Sequence, residues 1–540
     1  MQEIELKFQI PGGALAAVTA QLQALAGGRD ADITLRAAYF DTPDRRLGAA
    51  RMALRVRQEG PDWVQTLKAG GSNTMMRLED NQPVPAPLTG QPIQADLSRH
   101  TGSAREALTH VLGWQPGADP QGANTGLVEL YRTDITRTRV QVTVGQGTAH
   151  EGVVELALDL GHIHAGALKV AVRELEIESV SGHPMAVIDA GREWVQGHGL
   201  WLDTQTKAHR GDRLARQAAA LSETDAAPGT SADGKAPVTL AHPAKLKPEA
   251  TLDQAWRAGI ESCLEHITGN LSELASQAPQ DHEALAYQWR RGLRRLRALA
   301  RLLSNKHSPL PETVQLLLSE ASHKAQRVAR QLGYWRDQSA LAELPARLSE
   351  LGAPPLPLPH PPAPAGLPAS AIEVAQCAQA TELCLDLLAA LLAPPGADAA
   401  AATCKPWLSE QLSRWRRRSI HDVRDFKSLT PPARHRLRQR ARQLRDVSEI
   451  YALLWAPSAH DAHHALEAHT QALSKALRTL GDMQDMVVAH QWYQRAAAHD
   501  PKALFACGWL LAQQDTLSEL AGKALRKWTK VSAPWSPEAH

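Results

Sequence analysis

The first ten residues alternate in polarity. Ile4, Leu6, Phe8 and Ile10 fall on one side of an extended chain and Glu3, Glu5 and Lys7 on the other, because successive side chains of a strand point to opposite faces. The same period-two pattern returns in MALRVRQEG, DWVQTLKAG, ITRTRVQVTVG, VVELALDLG and KVAVRELEIES, with Gly, Pro, Asn and Asp between them. Two stretches with apolar residues three and four apart, ALAAVTAQLQALA and SAREALTHVLGW, predict helices. Residues 1–210 are therefore expected to form an antiparallel β-barrel or tunnel, or a strongly curved sheet, with helices packed outside.

After residue 221 the periodicity stops. Residues 221–243 are rich in Ala, Gly, Pro, Ser and Thr, and a linker is expected over 211–248. Helical spacing then runs to about residue 535, in a region rich in Ala, Leu, Arg and Gln. A proline-rich break at 351–368 is expected to divide this region, 249–535, into two related helical-bundle halves. Each half has an arginine-rich helix followed by a short signature: RRGLRRLRALARLL then GYWRD, and RHRLRQRARQLRD then LGDMQD. The fold class is α+β, with an all-α C-terminal domain.

Composition changes this picture little. A net charge of +2 points to no class of partner, so the segregation of charge along the chain carries the information. Five scattered cysteines without C-x-x-C spacing argue against a disulfide framework or a zinc site. No basic segment precedes an apolar run at the start, and no long apolar stretch could span a bilayer; a cytoplasmic protein without a signal peptide is expected.

Parity groups the charges of the strands. Glu3, Glu5 and Lys7 share a face, as do Arg55 and Arg57, Arg77 and Glu79, Arg137 and Arg139, Glu155 and Asp159, and Glu174, Glu176 and Glu178; Lys68 ends VQTLK. An ordinary solvated face explains any one of these. Together, with apolar partners facing the helices, they place both carboxylates and cations in a lumen. Such a lining suits a polyphosphate with a divalent metal, since Arg and Lys take phosphate oxygens and carboxylates take Mg²⁺ or Mn²⁺. Without a ligand it would carry a large desolvation cost.

EIELKF resembles the E-x-E-x-K signature of the CYTH superfamily, the triphosphate tunnel metalloenzymes, and YFDTPDRRLGAARMALRVR, TLKAGG, ELALDLGHI and ELEIES follow in that family's order. The resemblance implies a tunnel that binds triphosphate and one or two divalent metals. It implies that Lys7, Arg55, Arg57, Lys68, Arg137, Arg139 and Lys207 bind substrate. Glu3, Glu5, Glu79, Asp159, Glu174 and Glu176 would hold metal or orient water, and Glu5, Lys7 and Lys68 would be catalytic. The implied reaction is hydrolysis of inorganic triphosphate to diphosphate and phosphate, which depends on positioning and charge neutralisation rather than a nucleophilic side chain. Thiamine triphosphate hydrolysis, cyclisation of ATP by an adenylate cyclase of the same superfamily, and a non-catalytic polyphosphate scaffold are the alternatives.

In the helical region Arg290, Arg294, Arg297 and Arg301 recur at helical spacing, and His435, Arg438, Arg442 and Arg445 do the same. Arg414, Arg416, Arg417, Arg418, His421, Arg424 and Lys427 add to the charge. Few acids stand at pairing distance, so anion binding is expected; few aromatics interleave, so nucleic acid is not. RRLR, LGYWRD, HRLRQRARQLR and LGDMQD resemble the CHAD domain, which implies two four-helix halves that bind polyphosphate and an association with polyphosphate granules. Tyr287 stands where that resemblance places a histidine; His435 keeps it.

Overall fold

The computed structural model describes residues 4–27, 32–50, 52–73, 76–87, 92–223, 237–276, 282–305, 308–342, 344–350, 356, 366–455 and 460–535. The chain divides into two compact units, residues 1–235 and 236–540.

The first unit runs β1 (Glu5–Gln9), α1 (Leu15–Ala26), β2 (Asp32–Asp41), α2 (Arg46–Ala49), β3 (Met52–Glu59), β4 (Asp62–Asn73), β5 (Met76–Pro83) and α3 (Gly102–Leu112). It continues with β6 (Val128–Val144), β7 (Gly152–Ala165), β8 (Leu168–Gly182), α4 (Met185–His198), β9 (Trp201–Leu202) and α5 (Lys207–Glu223). The strands form one antiparallel nine-stranded sheet in the order β5-β4-β3-β2-β6-β7-β8-β1-β9. Among the described residues the hydrogen-bonded ladder does not close between β5 and β9, so the lattice of strands is a sheet with two edges.

Alternation decides which face the helices cover. Ala38, Phe40, Leu54, Val56 and Leu67 pack with Ala104, Leu108 and Leu112 of α3. At the other end of the sheet Phe8 is fully buried, and its ring lies where a Cβ on Gly191 of α4 would stand, 3.0 Å away. These helices shield the apolar face and leave the charged one clear, as the sequence predicts.

Helix α5 departs from that expectation. Its Leu214 and Ala215 pack with Tyr39, Tyr131, Ile135, Ile163 and Val172, positions that share the sheet face of Arg137, Asp159 and Glu174. This helix covers part of the charged face instead of the outer one. Residues 211–223, read from sequence as the start of the linker, are most of its length, and a narrow apolar stripe in GDRLARQAAALSE docks it. Gly211 permits the approach, because a Cβ there would come within 2.2 Å of the Tyr131 ring. The later part of the expected linker is also tied down: the Ala244 N–H donates to the Ile450 carbonyl at 2.7 Å, and Asn270 Nδ2 donates to the Thr239 carbonyl at 2.8 Å.

The second unit is helical: α6 (Leu252–Ser276), α7 (His282–Leu303), α8 (Glu312–Ala342), α9 (Leu344–Glu350), α10 (Ala371–Gln376), α11 (Ala378–Leu392), α12 (Ala397–Ala401), α13 (Cys404–Arg424), α14 (Pro431–Ile450), α15 (Ala452–Trp455), α16 (His460–Ala496) and α17 (Ala503–Thr529). Helices α6, α7, α8 and α11 pack as one bundle, and α13, α14, α16 and α17 as another; α7 and α14 meet. Most of the proline-rich run 351–368 lies outside the described residues. It interrupts the first bundle and does not divide the halves, because α11 beyond it buries Leu383, Cys384 and Leu387 and packs back on α6 and α8. No helix among the described residues is long and apolar enough to cross a membrane.

Candidate active site

Strand register arranges the charged face in rows. Arg137, Asp159, Glu174 and Gln9 lie side by side on β6, β7, β8 and β1. The next row is Arg139, Ala157, Glu176 and Lys7, and the one after it Gln141, Glu155, Glu178 and Glu5.

The first row and Glu176 form a closed network with the start of α5. Lys207 Nζ lies 2.7 Å from Asp159 Oδ2, 2.7 Å from Glu174 Oε2 and 2.8 Å from Glu176 Oε1. Arg137 donates to both oxygens of Asp159, at 2.6 and 2.7 Å, and also to Glu176. Arg210, one helical turn after Lys207, donates to Glu174 and, at 2.7 Å, to the Ala171 carbonyl. Gln9 Nε2 donates to Glu174 at 2.9 Å and to Asp203 at 2.8 Å. Burial alone would raise Glu174, yet Lys207, Lys7 and Arg210 hold it at about 2. Burial opposes the charge of Lys207 and Arg137 too, and their carboxylates outweigh it, raising both above their usual values. Asp159 is lowered: burial would raise it, but the Arg137 hydrogen bonds and Lys207 prevail.

The row of Glu5 is different. Glu5 faces Glu178, which in turn faces Glu155, so three carboxylates stand in register on adjacent strands. Glu5 is open to solvent but ringed by protein; that crowding, then Glu176, pushes it above the usual carboxylate range. Arg139 stands 3.7 Å from Glu155. Asp203, buried behind Gln9, is raised by its burial against the pull of Lys7.

A cationic patch occupies β3 and β4. Arg55 and Arg57 alternate on the charged face of β3, and Lys68 of β4 pairs in register with Ala53 of β3 and Glu79 of β5. Lys68 Nζ is 2.9 Å from Glu79, which Lys68 holds below its usual value against burial. Arg57 donates to Glu59. Burial, then Arg55, lowers Arg57. Arg55 donates to the Tyr39 hydroxyl at 3.4 Å, and its buried Nε has no hydrogen-bond partner among the described residues.

Of the expected metal ligands, Asp159, Glu174 and Glu176 come together, with oxygens within 4.8 Å of one another. Glu5 stands in its own row. Glu79 does not join them: it lies on an edge strand and pairs with Lys68. Glu3 lies outside the described residues. Among the substrate candidates, Arg137 and Lys207 are bound by carboxylates, whereas Lys7, Arg55, Arg57, Lys68 and Arg139 are at least partly accessible on the charged face.

Sequence reasoning missed Arg210, Gln9 and Asp203. The signals were present: Gln9 continues the parity of Glu5 and Lys7, and Arg210 follows Lys207 at the i,i+3 spacing that puts both on one helix face. Nothing in the sequence marks Asp203.

In the helical unit the arginine stripes of α7 and α14 oppose each other. Positions 290 and 438, 294 and 442, and 333 and 481 have the same offset along the chain, and Arg290 lies against Gly333 as Arg438 lies against Gly481. Burial and then Arg442 push Arg294 down to about 9. Burial and then Arg438 push Arg442 down to about 10. Burial and Arg330 lower Arg297, whose buried Nε, like that of Arg294, has no hydrogen-bond partner among the described residues. Arg445 differs: Asp446, 2.7 Å away, and Glu449 hold it above its usual value against burial. Arg301 is exposed, and His435 meets Gln484 at 3.3 Å and Gln439 at 2.7 Å.

Comparison with known proteins finds a family-model match in each unit. The CYTH domain model matches residues 1–211 and the CHAD domain model residues 258–494. Over 217 residues the chain is 29% identical to the inorganic triphosphatase of Haemophilus influenzae, covering 39% of this chain and 54% of that protein. The chain thus matches about half the length of that curated relative. Among solved structures it is similar to the CHAD domain from the plant Ricinus communis (23% identity, 54% of this chain and 96% of that one, TM-score 0.39). It is also similar to a Hippeastrum candidate adenylyl cyclase described as having a dominant triphosphatase activity (18% identity, 39% and 95% coverage, TM-score 0.28). Enzymes of the CYTH family are metal-dependent, and the acidic cluster of this chain lies in its CYTH segment. A CYTH domain is thus matched over residues 1–211 and a CHAD domain over residues 258–494.

Proposed function

We propose that the first unit hydrolyses inorganic triphosphate to diphosphate and phosphate with the help of Mg²⁺ or Mn²⁺, and that the arginine helices of the second unit bind polyphosphate. The observation that carries the first part is Arg55, a half-buried guanidinium whose Nε has no hydrogen-bond partner among the described residues, beside Arg57 and Lys68 on the charged face. Cations held together against their own repulsion favour an anion with several phosphate oxygens.

In this reading Arg55, Arg57 and Lys68 grip the phosphates and take up charge as the terminal group departs. Arg139 and Lys7 extend the grip along the same face. The carboxylates of Glu5, Glu178 and Glu155 are the ones assigned to a divalent ion in this reading, as three hard oxygen groups in register on adjacent strands. A bound metal there supplies neutralisation of the phosphate oxygens. Glu5, raised by its surroundings, is placed to orient water against the terminal phosphorus. Arg137 and Lys207 hold the floor of the site in shape rather than binding substrate.

For the second unit, Arg294 and Arg442 oppose each other with lowered basicity, so an anion between them relieves repulsion that the fold otherwise sustains. Such a domain would hold polymer near the first unit or keep the protein at polyphosphate granules in the cytoplasm.

The test is phosphate release from tripolyphosphate, ATP and thiamine triphosphate, with Mg²⁺, Mn²⁺ or EDTA. Tripolyphosphate turnover that needs metal and falls at least about 100-fold in Lys68→Ala and Glu5→Gln is expected. Faster turnover of ATP or thiamine triphosphate would reassign the substrate. No turnover of any of the three would reduce the first unit to a binding module.

A further inference from the structure

Asp159, Glu174 and Glu176 offer three carboxylate oxygens within 4.8 Å of one another, a donor set that on chemistry alone suits a divalent cation. The surroundings do not suit one. Lys207 Nζ already stands at ion-pair distance from all three groups, 2.7 to 2.8 Å, and donates a hydrogen bond to Glu176 Oε1; Glu174 Oε2, though ion-paired, has no hydrogen-bond partner among the described residues. Arg137 bonds Asp159 and Glu176, and Arg210 bonds Glu174, so each carboxylate is bound by two cations. Three negative charges face three positive ones, and Asp159 and Glu174 are fully buried. A divalent ion placed here would add charge to a neutral cluster beside three cations in a poorly screened setting.

We propose that Lys207 is a built-in cation that takes the place a metal would otherwise hold in this cluster. In doing so it pins the start of α5 to the charged face, where Gly211, Leu214 and Ala215 complete the docking. The Asp159–Glu174–Glu176 cluster is thus a structural clamp, and the protein's divalent-cation binding lies outside it. The inference rests on the metal-dependent reading only in that the two assign the ion and the clamp to different carboxylates.

The experiment counts Mn²⁺ bound to the full chain without any phosphate, by electron paramagnetic resonance. Glu174→Gln is expected to bind the same number of ions as the wild type, and Lys207→Met, which keeps the aliphatic stem, one more. A Glu174→Gln protein that binds one ion fewer overturns the proposal, as does a folded Lys207→Met protein, judged by circular dichroism, that binds no additional ion. Anomalous scattering from wild-type crystals soaked in Mn²⁺ needs no variant: a peak among Asp159, Glu174 and Glu176 refutes the clamp, and its absence from that cluster while Mn²⁺ binds elsewhere supports it. Glu5→Gln in the same titration tests the other assignment separately. If it loses no ion, the metal placement in the proposed function fails while the clamp stands.

Discussion

Two clusters of buried or half-buried cations in this molecule have opposite surroundings. In the first unit Lys207, Arg137 and Arg210 are matched one for one by Asp159, Glu174 and Glu176, and basicity rises for Lys207 and Arg137. In the second unit Arg294 and Arg442 face each other across two helices with Asp446 the nearby acid, and both lose basicity. Burial acts in the same direction on all of them; the count of neighbouring carboxylates sets the outcome. A matched cluster stabilises the fold and has little left to offer a ligand. An unmatched one leaves part of its charge uncompensated among its neighbours.

The sharpest way to break this comparison is to remove one charge from each cluster. Glu174→Ala leaves Lys207 and Arg210 buried with a partner missing, and a loss of about 3–5 kcal/mol in urea unfolding is expected. Arg294→Leu removes a repulsive charge and is expected to change stability by less than about 1 kcal/mol while weakening polyphosphate binding. Equal losses in the two variants would mean that the clusters do not differ in kind.

A second test adds the missing counter-charge. Long-chain polyphosphate at 100 times its dissociation constant is expected to stabilise the second unit by about 2.7 kcal/mol, read as a rise in melting temperature that shrinks with added salt. The effect should diminish in Arg294→Gln and Arg442→Gln. Next in size is Gly211→Ala, where a methyl group meets the Tyr131 ring and α5 must shift, costing about 1–3 kcal/mol by thermal unfolding of the first unit.

The smallest effect is in pH, and its window differs between the units. Glu174 lies at about 2 against an ordinary 4.5, so its stabilisation is complete above about pH 4.5 and is lost as pH falls toward 2. Lys207 is raised, so its contribution is complete below its ordinary 10.5 and is lost only as pH climbs past its folded value. Arg294 and Arg442 are lowered to about 9 and about 10 from 12.5, by burial first and by neighbouring arginines second, so their charge burdens the second unit at neutral pH and the burden eases as pH rises from 9. Unfolding followed at pH 4, 7 and 10 by probes in each unit would separate the two trends. A second unit that loses stability from pH 7 to 10 would contradict a net cost of these buried charges.

Much of the first unit was legible because strand parity is a local property. Leu54 and Val56 against Arg55 and Arg57 announce two faces without knowledge of any partner strand. Which rows those charges join was not legible, since register between β1, β7 and β8 is set by pairing across the chain. That is why Glu178 was seen as part of a face but not opposite Glu5, and why Asp203 escaped notice. Helix α5 was misread because its apolar stripe is narrow and its anchor is Lys207, whose partners lie on distant strands. In the second unit the repeat was visible, but the proline-rich run suggested a boundary that the packing of α11 on α6 and α8 moves.

The repeated geometry of the two arginine helices has a consequence for the kind of polymer they could hold. Arg290 beside Gly333 and Arg438 beside Gly481 occupy equivalent positions, and α7 meets α14 through Arg291 and Glu449 at one end and through the neighbourhood of Arg301 and Arg440 at the other. Tyr287 against His435 and Arg301 against Glu449 end the match, but over the pairs Arg290 and Arg438, and Arg294 and Arg442, the surface presents matching contacts when turned end for end and has no head and no tail. A nucleic acid strand does, and would find its contacts mismatched in one of its two orientations. A linear phosphoanhydride chain reads the same from both ends, so every encounter with such a surface begins in a productive orientation.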